Sequence, residues 1–311
     1  MAKIESCEAC GVPLMIGRDL RWNDNGVISG RNFPQYRWVF YQSNIIGNLL
    51  NGVEKLVGKP IGNIVIESRR RETRRFIERS FPFEVRNTPI LEEPDMEANG
   101  FPFNRVVAET VSGIRKELTE IGDNTYKVTA YPGDHPAELK EKLKRKRYDF
   151  KPGDMVFERC PECGVPLDLS RYRWDLEEGI ITDTYTQRRT AVPGSSAVEA
   201  ALDDLEMEQG ESIPEVVTEA QRRFVRSRAR KDDWRKSGAT YRSLAALRGL
   251  GNITGFEVDE KHLTTTIENS CLHLLTVGMA QALFETAMGI EASAYEWELV
   301  EDGDLNITVR A

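Results

Sequence analysis

The sequence predicts an α+β protein built as a tandem duplication of a knuckle, β-hairpin and helix unit, closed by a C-terminal strand–helix–hairpin module. Three observations predict it. The phrase Cys-x-x-Cys-Gly-Val-Pro-Leu occurs twice, at residues 7–14 and 160–167. Each phrase leads into runs of β-branched and aromatic residues, and those runs give way to helical periodicity. Residues 263–311 then read in turn as a strand, an apolar helix and a hairpin.

The copies are placed at residues 1–152 and 153–311, with Pro152-Gly153 as the boundary. Arg21-Trp22 and Gly26-Val27-Ile28 match Arg173-Trp174 and Gly179-Ile180-Ile181 at offsets of 152 and 153. Hairpins are expected from Leu20–Ser29 with Tyr36–Gln42, and from Tyr172–Thr182 with Gln187–Ala191. Helices follow at Asn44–Val57 and Ser196–Gln209; Ile45, Leu49, Val53 and Leu56 recur at helical spacing in the first. A segment of mixed character then ends in an Arg-rich helix in each copy, Glu67–Arg79 and Arg222–Arg235. Beyond these the copies diverge. The first continues with a loop at Asn87–Gly100, a helix at Asn104–Ile121, a strand at Thr125–Tyr131 and a basic helix at Pro136–Arg147. The second continues with a loop punctuated by Gly249, Gly251 and Gly255, a strand at Lys261–Asn269, a helix at Cys271–Met288 and a hairpin pairing Ala292–Val300 with Asp304–Val309.

At 311 residues there is room for about two domains, and 40% hydrophobic with 30% charged residues fits a globular chain. The formal charge of −8 argues against a general nucleic-acid binder. The opening residues carry no charged-then-apolar signal, and the most apolar stretch, Leu272–Met288, is too short and too polar for a bilayer. A cytoplasmic location without membrane association is therefore expected.

Four of the five cysteines lie in the two pairs, which is metal chemistry rather than a secreted disulfide framework. A CxxC-Gly turn converges two sulfurs, and the glycine lets the backbone curl around them. Cys7, Cys10, Cys160 and Cys163 together complete a closed four-thiolate set, which makes these zinc knuckles with a structural ion. Iron is the competing ion, because tetrahedral sulfur cages suit both. The pairs can meet within one chain or across two, so an oligomer stays open. A redox role fits less well, since these motifs precede hairpins instead of joining a strand to a helix.

The plan of Leu263–Ala311 carries a resemblance. A strand ends at Glu268-Asn269-Ser270-Cys271, a helix contains Gly278-Met279-Ala280-Gln281-Ala282-Leu283-Phe284-Glu285, and a hairpin runs through Tyr295-Glu296-Trp297-Glu298 and Asp302-Gly303-Asp304. This resembles the 4-vinyl reductase-type domain, also called the predicted hydrocarbon-binding domain. The resemblance implies a small hydrophobic or aromatic ligand. Many members of that family carry zinc-binding cysteines in the closing hairpin; here Tyr295, Glu296 and Trp297 stand there, and no cysteine follows Cys271. The candidate ligand pocket comprises Cys271, His273, Met279, Leu283 and Trp297. Helically spaced Leu272, Leu275, Met279 and Leu283 also read simply as core.

The Arg-rich helices interleave Glu67, Glu72 and Glu78 and read first as solvated ion-paired faces, with phosphate contact or docking on an acidic partner as alternatives. The three histidines, His135, His262 and His273, belong to no catalytic motif. The expected function is thus a non-enzymatic, zinc-containing accessory or sensor protein that binds a small hydrophobic molecule and reports it to a partner protein. The alternatives are a subunit or assembly factor of a metabolic enzyme complex, and a nucleic-acid-binding zinc protein.

Overall fold

A computed structural model describes residues 5–31, 34, 37–80, 115–122, 125–131, 150–176, 178–229, 238–300 and 303–311. The first half opens on the knuckle and a short helix α1 (Leu14–Asp19), then an antiparallel sheet of β1 (Leu20–Trp22), β2 (Ile28–Gly30) and β3 (Arg37–Trp38). Gly26 sits in the β1–β2 turn at φ +75°, where its Cβ would lie 2.3 Å from the Gly251 carbonyl oxygen, so only glycine fits. After β4 (Tyr41–Gln42) come α2 (Ile45–Val57) and α3 (Gly62–Ser80). Gly58, in the left-handed conformation, ends α2 by donating its N–H to the Glu54 carbonyl.

The second half repeats this order. A 3₁₀ turn (Leu167–Arg171) leads to β5 (Tyr172–Asp175), then β6 (Ile180–Asp183), β7 (Arg188–Ala191), α4 (Ser196–Gln209) and α5 (Ile213–Arg226). The halves interlock. Strand β4 leaves its own sheet and pairs with β7, Tyr41 opposite Ala191 and Gln42 opposite Thr190. Helix α2 packs on α5, and α3 packs on α4. Leu49 and Val53 of α2 share a core with Val217 and Ala220 of α5, and Gly52 lets the helices close to the point where an added Cβ would meet Ala220 Cβ at 3.1 Å. Arg71 of α3 forms an ion pair with the buried Asp204 of α4. The expected boundary at Pro152-Gly153 is a pinned crossing: the Met155 N–H donates to the Asp24 carbonyl (2.7 Å), and a Cβ on Gly153 would lie 2.4 Å from Asn25 Cα.

The C-terminal unit comprises α6 (Gly238–Leu247), β8 (Asn252–Val258), β9 (His262–Glu268), α7 (His273–Met288), β10 (Ala294–Leu299) and β11 (Leu305–Arg310). Its four strands form an antiparallel sheet in the order β8–β9–β11–β10. Leu263 and Ile267 of β9 alternate inward with Leu305, Ile307 and Val309 of β11, and α7 covers that face with Val277 and Phe284. The other side of α7 lies on α5, where a Cβ on Gly278 would stand 2.4 Å from the Thr218 carbonyl oxygen. A helix covered on two sides is apolar around most of its circumference, as this one is. No helix among the described residues is long and apolar enough to cross a membrane.

The α+β class stands, with corrections to particular elements. The helix expected over residues 104–121 is a strand where it is described: Arg115–Gly122 pairs antiparallel with Thr125–Tyr131 as a separate hairpin. Cross-strand pairing satisfies that backbone, and local propensity does not decide it. The mixed segments before the Arg-rich stretches are continuous helix, Gly62–Ser80 and Ile213–Arg226. Residues 252–258, read as loop because of their glycines, form β8, with Gly255 at a register irregularity. The expected loop at 87–100 and basic helix at 136–147 lie outside the described residues.

Candidate metal centre

Each knuckle is closed by its own backbone. In the first, Gly11 N–H donates to the Cys7 carbonyl (2.8 Å) and Cys7 N–H to the Val12 carbonyl (2.9 Å). In the second, Gly164 N–H donates to the Cys160 carbonyl (2.9 Å) and Cys160 N–H to the Val165 carbonyl (2.9 Å). Gly11 and Gly164 share a φ of +74°, which supplies the left-handed turn both loops need. The flanks repeat too, with Leu14 N–H to Glu5 and Leu167 N–H to Glu158. The same local sequence thus makes the same loop twice.

The loops face one another. All four sulfurs lie within 4.8 Å of each other, with Cys7 Sγ 3.6 Å from Cys160 Sγ and Cys10 Sγ 3.5 Å from Cys163 Sγ. A tetrahedron with metal–sulfur bonds of about 2.3 Å has sulfur–sulfur edges of about 3.8 Å. The cage therefore fits a tetrahedral metal ion, and two of its edges, at 3.5 and 3.6 Å, run between the halves. Cys7, Cys10 and Cys160 are buried and Cys163 is half-buried. The N–H groups of Cys163 and then Glu162 stabilise the Cys160 thiolate and bring its pKa down to about 7. Burial acts the other way on Cys7 and Cys10 and raises both. A cation resolves that conflict, because it favours the thiolate at every position. The Glu162 carboxylate bridges the loops, accepting from the Cys7 thiol and the Ala9 N–H, each at 3.3 Å. Gly17 of α1 rests on the second knuckle, where a Cβ would come 2.7 Å from the Cys163 carbonyl oxygen.

The other predicted residues are spread along α7 and β10, with contact shown between His273 and Trp297. Cys271 is buried, its thiol directed at the Gly249 carbonyl (3.5 Å), and burial pushes its pKa up to about 12, so it is a protonated core thiol at neutral pH. Leu272 adopts the left-handed conformation at φ +51°, costly for a leucine, and its N–H is held by Glu199 Oε1 at 3.2 Å. The His273 ring lies 5.2 Å from that of Trp297. Met279 and Leu283 are half-buried farther along α7. Two grooves stand out elsewhere on the surface, one of about 320 Å³ between α2 and α5 and one of about 210 Å³ beside β1 and β2.

Burial lowers the His273 pKa below its ordinary 6.5, with Glu199 opposing the shift. The unfolded chain then binds more protons than the fold below about pH 6.5. His273 thus costs no stability above that value and progressively more as pH falls toward its folded pKa. His273→Gln is expected to lose less stability than the wild type between about pH 7 and pH 5.5, read from urea midpoints with metal content monitored. Parallel losses would mean that His273 is not held neutral.

Sequence reasoning missed the charged cluster inside α7. Glu285 is fully buried, yet it accepts from Arg222 Nε at 2.8 and 2.9 Å, Arg226 Nη1 at 2.9 Å and Ser293 Oγ at 2.8 Å. Arg222 and Arg226 also donate to the Glu291 carbonyl. Arg222 lies in the Arg-rich stretch first read as a solvated face; it turns inward there. The only available signal was a glutamate in an otherwise apolar helix together with arginines at i and i+4 elsewhere. No protein-family model, curated protein or solved structure matches this chain.

Proposed function

We propose that the chain is a non-catalytic, zinc-stapled binding protein. The ion, held by Cys7, Cys10, Cys160 and Cys163, joins two related halves, and the C-terminal unit binds a small apolar or aromatic metabolite at the start of α7. The observation that carries the metal part is the four-sulfur cage, with edges of 3.5 and 3.6 Å between the halves. Four thiolates saturate a tetrahedral ion, so the metal has an architectural role. Zinc is preferred to iron because a closed, buried Cys₄ set needs no redox activity to explain it. The reading as duplicated copies draws on the matched knuckle hydrogen bonds, the repeated element order and the crosswise helix packing.

The ligand part draws on the strained Leu272, the His273–Trp297 ring contact and the half-buried Met279 and Leu283, which offer an aromatic and apolar wall where α7 can repack. Two measurements test it. Elemental analysis is expected to give about one zinc per chain, with none of the visible absorption that iron–thiolate centres show. Naphthalene-type compounds and medium-chain fatty acids are expected to raise the melting temperature by about 2 °C or more and to change Trp297 emission, with Trp297→Phe as the control. Metal present but no stabilisation by any such compound would remove the ligand reading and leave the staple.

A further inference from the structure

Both halves carry the same row of side chains across three neighbouring strands. In the first, Arg21 of β1 faces Ser29 of β2, which faces Arg37 of β3. In the second, Arg173 of β5 faces Thr182 of β6, which faces Arg189 of β7. The rows differ in what surrounds them. Asn23 borders the first row, and Asp175 stands at the matching position of the second; Arg31 borders the first, and Thr184 the second. The first row is thus three arginines with no acid among these residues, and the second is two arginines and an aspartate.

The first row also has a groove. Arg21, Asn23, Ser29, Gly30 and Arg31 line a concavity of about 210 Å³. Its donors are arranged. Asn23 Nδ2 donates to Ser29 Oγ (3.0 Å), which uses the hydroxyl as an acceptor and leaves its hydrogen to give. Ser29 itself is only 7% exposed and lines the groove. Arg31 Nε is anchored on the Gly17 carbonyl (2.9 Å), which leaves its terminal nitrogens for the groove. Arg37 is anchored on the Gly249 and Ser270 carbonyls and does not line the groove. No carboxylate pairs with Arg21, Arg31 or Arg37 among the described residues, although the chain carries eight net negative charges. Two guanidinium groups, those of Arg21 and Arg31, on the lining of one groove of an acidic protein present a local positive field.

We propose that this groove binds a small oxyanion, a phosphate or sulfate group either free or at the end of a small ester. Guanidinium forks match the spacing of such oxygens, and charge-assisted hydrogen bonds to them are the strong kind. The Ser29 hydroxyl supplies a third direction of donation. The volume admits the ion with a short organic stub and nothing the size of a nucleotide.

Calorimetric titration of the full-length, metal-replete protein with inorganic phosphate and with phenyl phosphate tests this. One-site binding is expected, weakening as salt rises. Arg21→Gln, at an exposed residue with no side-chain partner among the described residues, is expected to raise Kd about tenfold or more, and Arg173→Gln less than about twofold. Tighter binding of phenyl phosphate assigns an ester, and equal binding assigns the free ion. The proposal is overturned if neither compound binds at about 10 mM, if Arg21→Gln binds as the wild type does, or if Arg173→Gln weakens binding as much as Arg21→Gln.

Discussion

Serine at any one of positions 7, 10, 160 or 163 is expected to release the metal and lower folding stability by about 4 kcal/mol or more at micromolar free zinc. The size follows from linkage: an ion bound only by the folded state stabilises it in proportion to the logarithm of its concentration over its dissociation constant. The site joins residues 153 positions apart, so loss of the ion frees the two knuckles from each other as well as from the metal. Because the four sulfurs act as one unit, Cys7→Ser combined with Cys163→Ser should cost little more than either alone. Chelation of the wild type should reproduce the single-variant melting curve. Urea unfolding with parallel metal analysis measures all three. Additive losses in the double variant, or a chelated wild type as stable as the loaded protein, would show that the cage does not hold the halves.

Much of this site was legible because the chemistry is local. A CxxC-Gly turn is dictated by a few consecutive residues, and the repeated phrase makes the pairing of Cys7 and Cys10 with Cys160 and Cys163 the natural one. Helices α2 and α4 and the strand–helix–hairpin plan of the C-terminal unit were likewise visible, since each is a short run with its own period, whereas the expected hairpin arms Leu20–Ser29 and Tyr172–Thr182 each fold into two paired strands. What escaped is what depends on distant partners. Strand β4 belongs to the sheet of the other half, and nothing within Tyr41-Gln42 says so. Strand β8 is held by β9 despite its glycine, and the strand at Arg115–Gly122 is held by its hairpin partner. Glycines read as punctuation were in part sites of close approach: Gly251 faces Gly26 across the chain, and Gly278 admits α5. Such contacts are set by tertiary packing, which a local reading does not reach.

The Arg-rich helices teach the same lesson through charge. Composition alone assigns arginines to solvent, and Arg223, paired with Glu219 at 2.6 Å and largely exposed, conforms. Its neighbour Arg222 is mostly covered and turns toward Glu285. The difference between two adjacent residues is helical phase. Position 222 lies on the side of α5 that meets α7 at Gly278, so its head group ends beside a carboxylate carried there by a different element.

Replacement of Glu285 by alanine is accordingly expected to cost about 3–5 kcal/mol, equivalent to a melting temperature lower by about 10 °C. Loss of the carboxylate leaves Arg222 at the α5–α7 interface with only the more exposed Glu219 (2.9 Å) as counter-charge, while Arg226 can turn toward water. The cost therefore resides in Arg222, and a cycle can isolate it. Glu285→Leu with Arg222→Met replaces the pair by apolar groups of similar volume, and it should recover most of the loss, since a buried ion pair is often no more stabilising than a well-packed apolar one. Glu285→Leu alone should remain as destabilised as the alanine variant. Chemical denaturation of the three proteins at equal metal occupancy reads the result. If the double variant is no more stable than Glu285→Leu alone, the cluster contributes through its remaining bonds to Ser293 Oγ and the Glu291 carbonyl rather than through the buried charge.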